Sequence, residues 1–98
     1  MIRREGDRML IVGAVTLKNV TEVLGEGLAE VRGGAAVIDM ADVTELDSSL
    51  LAATFAWIRE GRSANRDLTV ANLPKGLQTL AQLYGVEELL PPAGPRQQ

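Results

Sequence analysis

Apolar residues fall in short runs along the first third of the chain, separated by polar or glycine-containing segments. The runs over residues 8–12 and 14–17 predict two strands, with Gly13 at a bend or tight connection between them. Residues 1–7 are polar and charged, and we expect them to be flexible. Over residues 20–31 the apolar positions recur at helical spacing, which predicts an amphipathic helix.

The rest of the chain alternates strands with helices. Residues 35–40 form a nearly continuous apolar run, typical of a central parallel strand that is covered on both faces, and residues 41–46 form a connection. A helix is predicted from about residue 47 to residue 64, followed by a strand over 68–72 and a last helix after Pro74.

The resulting order of elements is β, β, α, β, α, β, α. It predicts a single α/β domain over residues 8–90, with a mixed, mostly parallel sheet of about four strands and about three helices. Residues 91–98 are rich in proline and glycine, and we expect them to form a disordered tail.

The composition excludes several kinds of chemistry. Because the chain has neither cysteine nor histidine, it cannot form disulfides, thiolate metal sites or a Ser-His-Asp arrangement. It has no glycine-rich nucleotide motif, and its net charge of −3, with acidic and basic residues interspersed, argues against nucleic-acid binding. Its apolar runs are shorter than the roughly 20 residues of a membrane span. We therefore expect a cytoplasmic protein that is not an enzyme, needs no cofactor or metal, and meets a membrane only indirectly.

Asp47, Ser48 and Ser49 precede an uncharged apolar stretch and are the main candidates for a functional site. A side-chain oxygen of Asp47 or Ser48 can accept an unpaired N–H group at a helix start, so the simplest interpretation is a helix cap. The same position favours negative charge, so a phosphate on a serine would be tolerated there. Charge added to this surface could release a bound partner.

The helix over residues 48–58 carries no charged residue, so it is apolar on more than one face. The face expected to pack on the sheet holds Leu51, Phe55 and Ile58. A second face holds Leu50, Ala53 and Trp57. Two interpretations are open: Trp57 folds under a neighbouring helix, or the second face is an apolar patch that binds a protein. On the second interpretation, Trp57→Glu or Leu50→Glu should abolish partner binding and leave the domain folded.

Three blocks of the sequence resemble the STAS domain, a family that includes anti-sigma-factor antagonists, sulfate-transporter C-terminal domains and a small subunit of a bacterial phospholipid transporter. The blocks are Val-Ile-Asp-Met at 37–40, Val-Thr-Glu-Leu-Asp-Ser-Ser-Leu-Leu-Ala at 43–52 and Leu-Thr-Val-Ala-Asn-Leu-Pro at 68–74. The resemblance implies a mixed sheet with helices, and function through protein binding. In antagonists a serine of the Asp-Ser-Ser-Gly type motif is phosphorylated, which implies Ser49 or Ser48 here, with Leu50 in place of the usual glycine.

Residues 77–90 are similar to the C-terminus of the MlaB-like transporter subunit, where Leu-Ala-x-Leu-Tyr precedes a short apolar close. This subfamily implies a cytoplasmic accessory protein that binds the ATPase of an ABC transporter moving phospholipid between bacterial membranes, with Ser48 at the contact. The predicted partner-binding residues are Asp47, Ser48, Ser49, Leu50, Ala53 and Trp57. One alternative is an anti-sigma-factor antagonist whose partner kinase phosphorylates Ser49 or Ser48. Another is a domain that binds a lipid or small ligand.

Overall fold

The computed structural model describes residues 1–92. In chain order the elements are β1 (Ile2–Glu5), β2 (Arg8–Ile11), β3 (Gly13–Val15), α1 (Val20–Arg32), β4 (Val37–Asp39), β5 (Val43–Leu46), α2 (Ser48–Ser63), β6 (Thr69–Ala71), α3 (Lys75–Leu83) and a 3₁₀ helix (Glu87–Leu89). One sheet has the strand order β1-β2-β4-β6, in which only β1 runs antiparallel to its neighbour. β3 and β5 form a second, parallel pair. The predicted α/β class, with a mixed, mostly parallel four-stranded sheet and three helices, is confirmed.

The prediction of a flexible N-terminus is wrong, because residues 2–5 form the edge strand β1. β1 and β2 make a hairpin whose turn contains Gly6 at φ 62°, a conformation that glycine adopts without strain. Along β1, Ile2 and Arg4 are half-buried while Arg3 and Glu5 are exposed, which is the period of two expected of a strand. Three charged side chains among four residues hide this alternation in the sequence.

Residues 41–46 are more than a connection, because Val43–Leu46 form β5. This strand pairs with β3, from which it is separated in sequence by α1 and β4. The pairing joins two short segments about 30 residues apart, so neither segment on its own carries a strong strand pattern.

The predicted tail begins too early along the chain. The N–H of Val70, on the edge strand β6, donates a hydrogen bond of 2.8 Å to the carbonyl of Pro91. Pro92 then forms a parallel bridge with Val70. Residues 91 and 92 therefore belong to the folded domain, and the remaining part of the predicted tail, 93–98, lies outside the described residues.

The core lies between the helices and one face of the four-stranded sheet. Strands β2, β4 and β6 contribute buried side chains to this face, namely Met9, Ile11, Ile38 and Val70. Val37, which points to the opposite face of β4, is only half-buried. The prediction that this central strand is covered on both faces is therefore wrong in part.

α1 and α2 pack tightly against each other where Trp57 meets Gly27. The indole of Trp57 is fully buried, and its Nε1–H donates to the Leu24 carbonyl at 3.1 Å. A Cβ atom at Gly27 would lie 2.3 Å from the indole ring, so any larger residue there would collide with it. Of the two interpretations of Trp57, the structure supports the one in which it folds under the neighbouring helix.

Two arginines hold the C-terminal end of α1 against the sheet. Arg66, in the segment between α2 and β6, donates to the carbonyl of Ala35 at 2.7 Å and to that of Val31. Arg4 of β1 donates to the carbonyl of Gly33 at 3.3 Å. Cations are favourable near the C-terminal carbonyls of a helix, so these contacts fix α1 by hydrogen bonding as well as by packing.

We predict that Gly27→Ala destabilises the domain by about 1–3 kcal/mol, because the added methyl group forces Trp57 out of place. Gly25→Ala is the matched control, since a Cβ atom there meets nothing within 4 Å and should stabilise α1 by about 0.5–1 kcal/mol. Urea unfolding of the two variants measures both effects. Equal shifts in the two variants would contradict the tight contact at Gly27.

Candidate functional site at the groove between α1 and α2

Asp47 caps α2 and also ties this helix to the loop before α1. Its Oδ1 accepts the Ser49 N–H at 2.9 Å and the Ser49 hydroxyl proton, while its Oδ2 accepts the Leu17 N–H at 2.9 Å. The Ser49 hydroxyl, followed by the Leu17 and Ser49 N–H groups, lowers the pKa of Asp47 below its ordinary value of 3.8. The carboxylate is therefore ionised at neutral pH and lies where the helix dipole favours negative charge.

The two serines after Asp47 differ in availability. Ser49 is half-buried, and its hydroxyl is engaged by Asp47. Ser48 is exposed, and within residues 1–92 its hydroxyl takes part in no hydrogen bond. The accessible hydroxyl at the start of α2 is therefore that of Ser48.

The loop over residues 16–19 holds Leu17 beside this helix start. Asn19 braces the loop, because its Nδ2 donates to the Ala14 carbonyl at 2.8 Å and its Oδ1 accepts the Thr16 N–H at 2.9 Å. Asp47 binds the N–H of Leu17 itself, yet the Leu17 side chain remains 79% exposed. A large apolar side chain is thus presented to solvent from a backbone that is fixed by hydrogen bonds.

An open groove of about 600 Å³ lies between α1 and α2; we call it the α1–α2 groove. It is lined by Leu17, Val20, Leu24, Asp47, Ser48, Ser49, Ala52, Ala53, Ala56 and Arg59. Along α2, the positions Ser48, Ala52, Ala56 and Arg59 recur every three or four residues and so follow one another on one face. The helix rises about 16 Å over this distance. The groove is therefore apolar along its length, with a carboxylate at one end and a guanidinium at the other.

The structure corrects part of the predicted binding surface. Leu50 and Trp57 are fully buried in the core, and Ala53 is only 2% exposed at the base of the groove. The three residues therefore form no exposed patch, and Trp57→Glu or Leu50→Glu would place a charge in the core rather than leave the fold intact. Ala52, Ala56 and Leu17 were missed, although the four-residue spacing of the small residues after Ser48 was visible in the sequence. A role for Asp47, Ser48 and Ser49 in binding stays a prediction.

A second carboxylate with a lowered pKa, Asp39, is committed to the fold. Burial raises its pKa, but hydrogen bonds from Asn72, from the Ala41 N–H and from Arg8 outweigh burial and hold the pKa below 3.8. Within residues 1–92, acidic side chains form no group of three or more that could hold a metal ion. Over the same residues, each helix is too short or too polar to cross a membrane.

The sheet order, the three helices and the capped α2 that follows β5 fit a STAS domain, the class to which a family profile assigns the chain. The profile of the family described as MlaB, STAS domain, matches residues 2–91. The chain therefore belongs to the MlaB-type STAS domain family. A comparison with curated proteins finds no match.

Solved structures share this fold at low sequence identity. A chain of the Acinetobacter MlaFEDB complex, in an ATP-bound conformation, is 18% identical with a TM-score of 0.77, over 90% of this chain and 95% of that one. Phosphorylated SpoIIAA of Bacillus is 13% identical with a TM-score of 0.66, over 96% and 90% of the two chains. The anti-sigma factor antagonist SpoIIAA in its unphosphorylated form is 14% identical with a TM-score of 0.70, over 96% and 87%. At such identities the likeness establishes the fold alone.

We predict that Ser49→Ala raises the pKa of Asp47 towards 3.8, because the Ser49 hydroxyl is the largest cause of its depression. The stabilisation that comes from a depressed pKa is present above 3.8 and is lost as the pH falls through the depressed value. Ser49→Ala should therefore lose less stability on acidification through this window. An NMR titration of the side-chain carboxyl checks the shift, and Ser48→Ala, which removes a hydroxyl that Asp47 does not bind, should leave it unchanged.

Proposed function

We propose that this chain is a non-catalytic accessory subunit that binds the ATPase of an ABC transporter for phospholipid, and that the partner occupies the α1–α2 groove. Membership of the MlaB-type family and the shared fold with a chain of the MlaFEDB complex support this proposal. The observation that carries it is the fixed, exposed Leu17 beside an apolar groove that starts at Ser48. ABC ATPases work in the cytoplasm, so the proposal also locates the chain there.

Leu17 would be the main apolar anchor of this contact. Complete burial of a leucine side chain is worth about 1.5–3 kcal/mol, and Leu17 is 79% exposed in the free chain. Ala52 and Ala56 have short side chains, so a partner helix or loop could approach α2 closely. The loop and helix are already held by Asp47, so binding would require little ordering of this surface.

The ends of the groove would set the orientation of the partner. A hydrogen-bond donor on the partner is expected near Asp47 and Ser48, and an acceptor near Arg59. This polarity also distinguishes a protein partner from a free acyl chain, which carries a polar group at one end only and so cannot pair with both ends of the groove. A protein segment with polar groups spaced about 16 Å apart fits the site better.

We predict that Ala52→Glu abolishes co-purification with the ATPase, because it introduces a charged side chain into the apolar part of the groove. Leu17→Ser should weaken the same binding by removing the anchor. Ala29→Glu is the matched control, since Ala29 is also an exposed helical alanine, on α1, and does not line the groove. Calorimetric titration with the ATPase encoded by a neighbouring gene measures the effect, and unchanged binding by both groove variants would refute the proposed site.

A second candidate function is that of an anti-sigma-factor antagonist switched by phosphorylation at Ser48 or Ser49. The exposed hydroxyl of Ser48, which takes part in no hydrogen bond within residues 1–92, favours this candidate, and the fold is shared with phosphorylated SpoIIAA. A phosphate would add roughly −1.5 to −2 charges at the N-terminus of α2, where backbone N–H groups stabilise it. The added charge would also lie at the end of the α1–α2 groove and would weaken the binding of an apolar partner.

For this second candidate we expect a serine kinase from the same genome to add one phosphate to the chain, and we expect it on Ser48 rather than Ser49. Ser48→Ala should abolish the mass gain, while Ser49→Ala should retain it, because the Ser49 hydroxyl is held by Asp47. Intact-protein and peptide mass spectrometry locate the modification. If the chain isolated from its own cells and the kinase-treated chain both lack phosphate, this function is excluded.

A further inference from the structure

A second apolar depression lies towards the C-terminal end of α2, and we call it the C-terminal pocket. It has a volume of about 300 Å³ and is lined by Phe55, Arg59, Arg62, Val86 and Leu89. Leu89 is 52% exposed. Close by in sequence, at the end of α3, two further large apolar side chains, Leu83 and Tyr84, are 74% and 56% exposed. The pocket therefore has apolar walls, and one of them, Leu89, leaves apolar surface in solvent.

Two of the five residues that line the C-terminal pocket are arginines. Arg59 and Arg62 are three residues apart on α2 and so lie on the same side of the helix. In the described part of the chain neither takes part in a salt bridge, whereas Arg32 pairs with Glu60 at 3.0 Å. The nearby carboxylate of Glu87 is already bound by glutamine side chains. Two guanidinium groups that form no salt bridge within residues 1–92, beside an apolar pocket, are suited to carboxylates presented next to an apolar group.

We propose that the C-terminal pocket binds an acidic peptide segment of a partner protein, with one large apolar side chain as its anchor. The anchor would fill the space between Phe55, Val86 and Leu89, and flanking carboxylates would pair with the two arginines. A membrane surface is a poorer match, because the chain has a net charge of −3 and an anionic bilayer would repel it.

The C-terminal pocket and the α1–α2 groove share one residue, Arg59. The two sites are therefore continuous along α2, and a single extended partner could occupy both. The proposal for the pocket does not depend on which protein occupies the groove. It adds a requirement on the partner, which must carry acidic residues around a leucine or an aromatic residue.

The test uses the full chain and three fluorescein-labelled peptides with a central Leu-Phe pair, flanked on both sides by glutamate, glutamine or lysine. Fluorescence anisotropy should show the glutamate peptide binding about fivefold more tightly than the glutamine peptide, with a preference that declines as salt is added. The lysine peptide should bind most weakly. Backbone amide shifts on adding the glutamate peptide should be largest around residues 55–62 and 86–89.

Variants separate charge from apolar contact. Arg62→Gln should remove the preference for the glutamate peptide, and Leu89→Ser should weaken the binding of both the glutamate and the glutamine peptides. Arg3→Gln, which removes an exposed arginine of β1, should change neither the preference nor the affinity. Ala52→Glu blocks only the groove and should leave peptide binding intact, so failure of the proposed function and failure of this inference are distinguishable. Equal binding of the glutamate and glutamine peptides would overturn the proposal. The proposal would also be overturned if the chain bound no peptide but floated with phosphatidylglycerol vesicles in a manner that depends on Arg62. That result would indicate a membrane site instead.

Discussion

The contact between Trp57 and Gly27 determines how α1 and α2 pack, and much of the domain depends on it. The distance between packed helices is set by the side chains at their contact, and here the largest side chain meets the smallest. The close approach also lets the indole N–H reach a backbone carbonyl of α1, so the buried donor is satisfied. Because the walls of the α1–α2 groove belong to these two helices, the width of the groove follows from a contact inside the core.

Asp47 connects this packing to the surface. One oxygen orders the start of α2 and the other fixes the loop that presents Leu17, so a single carboxylate organises both sides of the groove entrance. The engagement of Ser49 by the same carboxylate leaves Ser48 as the accessible hydroxyl. A residue that is only a helix cap in the sequence therefore also decides which groups are exposed at the start of α2.

The hydrophobic pattern of the sequence predicted those elements whose capping residues and periodicity lie within one continuous segment. The uncharged run after Asp47 gave α2 within about one residue at each end, because capping and periodicity act over a few positions. β5 was missed because its pairing with β3 is distant in sequence. The burial of Trp57 could not be predicted from the sequence of α2 alone, because it depends on Gly27 in α1. Two of the predicted partner-binding residues, Leu50 and Trp57, consequently lie in the core, while Asp47 was identified correctly as a helix cap.

Pro91 and Pro92 lie along the β6 edge of the four-stranded sheet and limit the hydrogen bonds that this edge can form. The carbonyl of Pro91 satisfies the Val70 N–H, but a proline has no N–H to offer in return. A further strand that approached β6 from this side would meet a backbone without donors at two successive positions. Extension of the four-stranded sheet by a further strand is thereby disfavoured at β6, which leaves the short and charged β1 as the edge of this sheet that is more open to intermolecular strand pairing, the first step of many aggregation reactions.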